Sequence, residues 1–219
     1  MKKVISIFVL ALTLALPAIV QAQSGAYVTP KFLMTFQNTG TLSRSGGSGF
    51  GMDTYSQFTL GGAIAAGYDL YVQHQIPIRL ELEGAMRGNS ETTWTGYRGE
   101  IKGTWNSTTL LANVYWDFHN ETMFTPYIGA GLGLAFNYAG YDIKHAGNNF
   151  SMDDRFTNFA WNLGAGAAVE LNEQMSVDLG YRFLSLGENK VEATSGGTHY
   201  KIKTSPYNHE IMLGLRIGF

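Results

Sequence analysis

The sequence lacks cysteine altogether, carries charge on only 15% of its 219 residues and has no long apolar run outside its N-terminus. The absence of cysteine excludes a domain held together by disulfides. No segment beyond the N-terminus approaches the roughly 20 apolar residues that a membrane-spanning helix requires. The mean hydropathy of −0.06 is ordinary for a soluble protein. A membrane protein of this composition would have to alternate apolar and polar residues along strands, so hydropathy alone would miss it.

The apolar run at the N-terminus has the features of a secretory signal peptide. Lys2 and Lys3 precede the apolar stretch, and a small-x-Ala motif ends at Ala22. We expect residues 1–22 to be removed and residues 23–219 to form one mature domain; a retained N-terminal anchor is the alternative. The 15 basic residues then fall to 13 against 17 acidic ones. This balance argues against a nucleic-acid partner, which would favour a basic surface.

The mature sequence predicts eight β-strands, because apolar residues alternate with polar or small ones in eight segments. These segments are residues 27–36, 57–68, 78–87, 107–118, 126–137, 158–171, 176–185 and 207–219. The connections alternate between short segments and long ones rich in Gly, Ser, Thr and Asn. The long ones are residues 37–56, 88–103, 138–156 and 187–204. This order predicts an all-β fold, an eight-stranded antiparallel up-and-down transmembrane β-barrel. Its four long loops would lie outside the cell, and its short turns and both termini in the periplasm.

In such a barrel the apolar side of each strand faces lipid and the other side faces the lumen. Eleven charged residues share the predicted inward side: Lys31, Arg79, Glu81, Glu83, Arg87, Asp117, Glu170, Asp178, Arg182, Glu210 and Arg216. Their near balance of sign predicts a paired internal network, because an unpaired charge in a narrow interior is costly. Small inward residues, such as Gly129, Gly131 and Gly133, would leave room for the long charged side chains. An eight-stranded interior is just wide enough for side chains to fill it, so we expect a plugged barrel.

Aromatic residues fall at both ends of the predicted strands. Tyr68, Trp116, Phe118 and Phe219 lie at the predicted periplasmic ends, and Phe36, Phe58, Phe136, Phe159, Trp161 and Tyr207 lie nearer the outer ends. Two aromatic girdles are expected at the two membrane interfaces. A soluble sandwich or lipocalin-like barrel with core aromatics is the alternative. Pro30 fits a strand poorly, because it removes a ladder hydrogen bond, and it suggests a bulge or a late start of the first strand.

Four segments resemble the opacity-type family of bacterial outer-membrane surface proteins, a branch of the small OmpA-like and OmpX-like barrels. They are LLANVYWDF (110–118), TPYIGAGLGLAF (125–136), VDLGYRFLSLG (177–187) and HEIMLGLRIGF (209–219). The resemblance implies residence in a Gram-negative outer membrane, among outer-membrane lipid and lipopolysaccharide. It implies that the barrel-assembly machinery reads the C-terminal aromatic, here Phe219, and that variable surface loops serve adhesion or immune interaction. Because the sequence ends at Phe219, we expect no peptidoglycan-binding domain after the barrel.

Motifs for catalysis, cofactors or metals are weak. GGSGFG (46–51) lacks the lysine and the helix of a phosphate-binding loop, and the Gly129–Gly133 run lies inside a predicted strand. Asp153 and Asp154 could offer oxygen ligands to Ca²⁺, but the spacing does not match an EF-hand and solvated charge is the default. No local signature couples His145, His199 or His209 to a nucleophile. We therefore predict no cofactor, no metal site and no catalytic residue.

The long predicted loops hold the candidate recognition surface, because variable loops on a rigid scaffold carry binding. Aromatic residues in or beside them are Phe50, Tyr55, Trp94, Tyr97, Tyr138, Tyr141 and Phe150. They suit contact with a protein, a glycan or lipopolysaccharide, and packing within the loops or the outer girdle is an equal alternative. The sequence predicts a structural, ligand-interacting surface protein of the adhesin or antigen kind. A narrow passive pore or membrane-integrity protein is the alternative, and a lipid A-modifying enzyme is less favoured.

Overall fold

The computed structural model describes residues 24–38, 40, 42–45, 56–96, 99–145, 148–195 and 198–219. Its strands are β1 (Ala26–Asn38), β2 (Leu42–Ser45), β3 (Ser56–Asp69), β4 (Ile78–Arg87), β5 (Ser90–Gly96), β6 (Gly99–Asp117), β7 (Phe124–His145), β8 (Asn148–Asn172), β9 (Met175–Ser185), β10 (Asn189–Ser195), β11 (Thr198–Thr204) and β12 (Tyr207–Gly218). A single helical turn, α1 (Tyr71–His74), lies between β3 and β4. Within these ranges no helix is long and apolar enough to cross a membrane. The predicted signal peptide lies outside the described residues.

Eight strands form a closed antiparallel barrel. Their order around the barrel is β4-β3-β1-β12-β9-β8-β7-β6, and pairing between β4 and β6 closes the circle. Each barrel strand pairs with the barrel strands before and after it in the sequence, and the first pairs with the last, for example Phe32 with Leu213. The predicted eight-stranded up-and-down barrel is confirmed.

The strands are staggered by ten residues around the barrel. A row of directly paired residues that begins at Ser56 in β3 crosses every other barrel strand and returns to β3 at Ala66. Such a stagger requires the strands to tilt against the barrel axis. With eight strands, the enclosed space is about as wide as the side chains that fill it.

The first strand passes straight through Pro30. It begins at Ala26, and Pro30 lies directly opposite Ile64 of β3. On the β12 side, Val28 and Lys31 keep one register with Ile217 and Gly214. The expected bulge or late start is therefore wrong. Proline removes one ladder donor, and the pairing on both sides of Pro30 holds the register.

Beyond the barrel, the β-structure continues as two smaller sheets. The first extension sheet consists of β5 with residues 99–107 of β6, 137–145 of β7 and 148–156 of β8. The second extension sheet consists of β10, β11 and β2. Both lie at one end of the barrel, called the extension end. The short connections and both ends of the described chain, Ser24 and Phe219, lie at the other, called the turn end.

These sheets correct the predicted division between strands and long loops, because much of the predicted loops is β-structure. Residues 88–103, 138–156 and 187–204 are mostly β-hairpin, and the segment 37–56 contributes β2. The prediction failed because residues such as Asp153, Asp154 and Arg155 are exposed on both faces of the sheet. A strand with water on both sides has no alternating apolar pattern to recognise.

An apolar belt surrounds the barrel. Large apolar side chains point outward on every barrel strand, and those of Leu82, Leu132 and Leu163 are 57%, 59% and 60% exposed. On β6 the belt runs from Trp116 to Thr108, which is nine residues, about the length that a tilted strand needs to cross the hydrocarbon. Such a continuous exposed apolar surface is typical of a protein in contact with lipid.

Candidate functional site

A chain of alternating charges crosses the middle of the lumen. The Lys31 ammonium lies 2.5 Å from a Glu81 carboxylate oxygen and 2.7 Å from one of Glu83. The other Glu83 oxygen accepts a hydrogen bond from Arg182 at 2.6 Å. Lys31 comes from β1, the two glutamates from β4 and Arg182 from β9, so this chain joins three separate parts of the wall.

The chain continues to β12 and back to β4. The Arg182 guanidinium donates to Glu210 at 2.7 Å, and Glu210 also accepts two hydrogen bonds from Arg87. Thr35 donates to Glu210 at 3.2 Å, and Thr109 accepts from Arg87 at 3.2 Å. The sequence of charges is therefore Glu81, Lys31, Glu83, Arg182, Glu210 and Arg87, in which every neighbour has the opposite sign. Full burial makes such a network costly unless its members are paired.

Two further ion pairs lie closer to the turn end. Arg79 forms a two-point contact with Asp117, and the longer of its two hydrogen bonds is 2.9 Å. Arg216 donates to Asp178 at 2.7 and 3.2 Å. Two parallel N–H···O bonds between a guanidinium and a carboxylate fix orientation as well as charge.

The structure brings together ten of the eleven predicted lumen residues and leaves out Glu170. Glu170 is exposed at the turn end of β8, where the pairing with β9 becomes irregular between Glu170 and Asn172. A bulge re-aims side chains, so simple alternation no longer fixes their direction there. Without Glu170, the network contains five cationic and five anionic groups, and the formal charges cancel.

Three tyrosines that lie in the lumen, Tyr27, Tyr115 and Tyr127, were not among the residues predicted to do so. The Arg79 guanidinium carbon lies 4.9 Å from the ring centre of Tyr115 and 5.0 Å from that of Tyr127. The hydroxyls of Tyr115 and Tyr27 donate to Glu81 at 3.1 and 3.4 Å. Their position in the alternation was the available signal, since Tyr115 is two residues from the inward-facing Asp117.

Glycines in the wall make room for these rings. A Cβ atom on Gly129 would lie 2.3 Å from the Tyr115 ring, and one on Gly166 would lie 2.5 Å from the Tyr127 ring. A Cβ atom on Gly164 would lie 2.9 Å from the Cβ atom of Arg182. The small inward residues thus leave space both for long charged side chains, as expected, and for the rings.

Towards the extension end, an apolar layer covers the charges. Leu111, Ala135, Ala160, Leu184 and Leu186 form a cluster with no solvent exposure. At the other side of the network, a cavity beside Lys31, Arg79 and Tyr115 has a volume of about 10 Å³, about the room for one water. Charged, aromatic and apolar side chains therefore fill the lumen at successive levels.

The predicted recognition aromatics are only partly described. Tyr138 is half-buried on the outward face of β7. Trp94, Tyr141 and Phe150 belong to β5, β7 and β8, but their side chains lie outside the described residues, as do those of His145 and His199. Phe50, Tyr55 and Tyr97 lie outside the described residues altogether.

The C-terminal residue is fixed to the beginning of the chain. The Phe219 amide donates to the Ala26 carbonyl at 2.9 Å, and its backbone oxygen accepts from the Ser24 amide at 2.6 Å and the Ser24 hydroxyl at 2.9 Å. The first and last strands therefore meet in a complete seam at the turn end.

His209 faces outward among aromatic rings. Its Nδ1 lies 2.6 Å from the Tyr181 hydroxyl, and its ring contacts those of Phe183 and Tyr207. In the part of the chain that the structure describes, no three His, Asp or Glu residues are grouped as metal ligands would be.

A model for the outer-membrane protein β-barrel domain matches residues 6–219. The chain belongs to this family. It is 29% identical to the outer membrane protein PagN of Salmonella typhimurium over the whole of both chains. It is also 29% identical to a putative adhesin of Rickettsia conorii, over 71% of this chain and 66% of that protein.

The fold of this outer-membrane barrel protein is shared with solved structures. OprG from Pseudomonas aeruginosa superposes with a TM-score of 0.55 at 17% identity, over 89% of this chain and 97% of that one. Membership of the family places the protein in the bacterial outer membrane, as the sequence predicted. The apolar belt is therefore its lipid-facing surface and the two extension sheets stand outside the hydrocarbon.

Proposed function

We propose that this outer-membrane barrel protein is an adhesin that binds ligands on other surfaces through its two extension sheets. The observation that carries this proposal is the continuation of the β-structure past the lipid-facing belt, on a barrel whose lumen is filled. Relatives that match at 29% identity include a putative adhesin. A rigid scaffold that holds hairpins above a membrane is suited to recognition.

The base of the second extension sheet is firmly held. Asn158 donates to the Leu186 carbonyl at 3.2 Å and to Asn189 at 2.7 Å, and Asn137 donates to the same two groups at 3.1 and 3.4 Å. At the opposite edge of this sheet, β2 pairs with β11, for example Ser43 with Lys203. A binding surface that is already ordered loses less conformational entropy when a ligand binds.

We further propose the orientation and biogenesis of the protein. The turn end and both termini face the periplasm, and the extension sheets face the exterior, surrounded by lipopolysaccharide. Residues 1–22 are removed as a signal peptide, leaving the barrel domain of residues 23–219. Phe219, which directly follows the closing strand β12, is the signal that the assembly machinery reads. The acidic balance of the chain does not suit a nucleic-acid partner.

The filled lumen disfavours a passive pore. A passive pore needs a continuous aqueous path, whereas ten charged side chains joined by seven ion pairs, together with an apolar layer, occupy this interior. Purified protein in a planar bilayer should give no steady single-channel current. The protein is also proposed to have no catalytic activity, so lipid A from cells with and without it should have the same mass spectrum.

Adhesion is tested by removing one extension at a time. In a non-adherent Gram-negative host, residues 189–204 are replaced by a short Gly-Ser turn between Glu188 and Ser205. Binding of these cells to epithelial monolayers and to immobilised matrix proteins should fall several-fold relative to the intact protein, because the presented surface is lost.

The matched control shortens the turn at residues 119–123, at the opposite end of the barrel. Its adhesion should equal that of the intact protein. Heat-modified migration in gels verifies that both variants fold. Unchanged adhesion after removal of the hairpins from both extension sheets would contradict the proposal.

A further inference from the structure

A groove lies on the outward face of the barrel just beyond the apolar belt. On neighbouring strands, Thr108, Phe136 and Thr157 lie side by side at the edge of the belt. The next outward row, towards the extension end, is Asn106, Tyr138 and Arg155. Since the belt occupies the hydrocarbon, this row lies at the height of the lipid headgroups.

The groove has a defined shape and lining. Its volume is about 540 Å³, and Asn89, Asn106, Tyr138 and Arg155 contribute to its wall together with Phe136. The Asn106 carboxamide donates to the Arg87 carbonyl at 2.7 Å and to Asn89 at 3.1 Å, which holds both carboxamides in position. An aromatic floor and polar walls form one concave surface.

Arg155 is the cation that this groove presents. Its side chain is exposed, and its guanidinium has no ion-pair partner among the residues the structure describes. Lys102, two outward rows further from the belt on β6, differs in being paired. It lies 2.9 Å from Glu91, whose carboxylate accepts its hydrogen bond and raises the pKa of the Lys102 ammonium above its ordinary value.

We propose that this groove binds the phosphorylated sugar headgroup of the surrounding outer-leaflet lipid, lipid A. A guanidinium forms paired hydrogen bonds with a phosphate, so Arg155 supplies the charge. The fixed carboxamides of Asn89 and Asn106 offer donors and acceptors to sugar hydroxyls. The rings of Phe136 and Tyr138 offer apolar contact to the sugar face and the first acyl carbons. Asp153 lies on the same face of β8 but further from the belt, beyond the headgroup.

The test measures lipid A binding to the full chain in phosphatidylcholine nanodiscs, by native mass spectrometry across a titration. For Arg155→Ala we expect affinity for bisphosphorylated lipid A to fall about five- to tenfold, because one charge-assisted contact is lost. Arg155→Lys should retain part of the affinity, since a point charge replaces the bidentate contact. Lys102→Ala, which removes an equal charge outside the groove, should bind as the intact protein does.

Two further arms identify the source of the phosphate. Dephosphorylated lipid A should bind the intact protein as weakly as bisphosphorylated lipid A binds Arg155→Ala. Inorganic pyrophosphate at the same concentrations should not compete, because it lacks the sugar and acyl contacts. Equal affinity of Arg155→Ala and the intact protein, an equal loss in Lys102→Ala, or full competition by pyrophosphate would each overturn the proposal. Heat-modified migration checks folding, and Arg155→Gln replaces the alanine variant if that fails to fold.

Discussion

Arg182 occupies the centre of the alternating charge chain, between Glu83 and Glu210, and all three side chains are excluded from solvent. Each glutamate has a second cationic partner, Lys31 or Arg87. Removal of Arg182 would therefore leave the network with one excess buried negative charge. Buried pairs of this kind cost several kilocalories per mole when one partner is lost, even where the intact pair adds little net stability.

We predict that Arg182→Ala lowers the free energy of unfolding by about 3–5 kcal/mol. Urea titration of protein folded in lipid vesicles, followed by heat-modified migration, measures the loss. Adding Glu83→Gln should restore part of it, because the charge balance returns. Arg216→Ala is the matched control: its side chain is 15% exposed and, within the described ranges, pairs with Asp178 alone, so its removal should cost less than the removal of Arg182. Equal costs for Arg182→Ala and Arg216→Ala would contradict this account of the network.

Gly129 illustrates how the wall makes room for large lumen side chains. A methyl group there would overlap the Tyr115 ring, whereas a methyl group on the outward-facing Gly84 would meet no atom within 4 Å. A comparison of alanine substitutions at Gly129 and Gly84 therefore distinguishes the effect of overlap with a lumen ring from the general effect of replacing a glycine in a strand.

We predict that Gly129→Ala destabilises the barrel by about 1–3 kcal/mol through overpacking. Gly84→Ala should change stability by less than about 0.5 kcal/mol. In a double-mutant cycle, Gly129→Ala combined with Tyr115→Ala should cost less than the sum of the two single changes. Strict additivity in the same urea titration would argue against the contact between Gly129 and the ring.

At the residue scale, alternation alone predicted which charged side chains share a face. It could not predict which of them touch, because the contacts of Arg182 with Glu83 and Glu210 join strands far apart in the sequence. It misplaced Glu170, which lies beside an irregularity that alternation does not reveal. The inward tyrosines were overlooked because aromatic residues were assigned to the membrane girdles or to recognition by the loops, although Tyr115 occupies an inward position.

At the element scale, the barrel strands were predictable and their extensions were not. The predicted strand 78–87 is identical to the observed β4, because one face meets lipid and the other meets the lumen. Beyond the belt, β8 continues to Asn148, and its residues Asp153, Asp154 and Arg155 are exposed on both faces. Pairing with β7 supports that part of β8, and pairing leaves no apolar pattern in a single sequence.

The β10–β11 hairpin depends on the carboxamides at its base. We predict that Asn158→Ala raises the rate of proteolysis within residues 189–204 about fivefold, because hydrogen bonds worth about 1 kcal/mol no longer restrain the hairpin. Limited proteolysis with fragment mapping by mass spectrometry measures the rate. Asn120→Ala, which alters a carboxamide-organised connection at the turn end, should leave it unchanged. If the hairpin of Asn158→Ala resisted proteolysis as well as the hairpin of the intact protein does, other contacts would be holding it in place.

At the scale of the whole molecule, the protein separates two tasks along one set of strands. Between the turn end and the edge of the belt, the strands form a closed, internally neutral cylinder with an apolar exterior. Beyond the belt, the same strands and two hairpins form sheets that meet water and are available to partners. This division rests on one claim, that the belt faces lipid and the extension sheets face water.

Single-cysteine labelling in intact membrane vesicles tests that claim most directly, since the natural chain contains no cysteine. Leu80 and Leu213 lie in the belt, and Ser151 lies in the first extension sheet. A bulky water-soluble maleimide should label Ser151→Cys rapidly in outward-facing vesicles, and should label Leu80→Cys and Leu213→Cys only after denaturation. Rapid labelling of the two belt positions in intact vesicles would contradict the account.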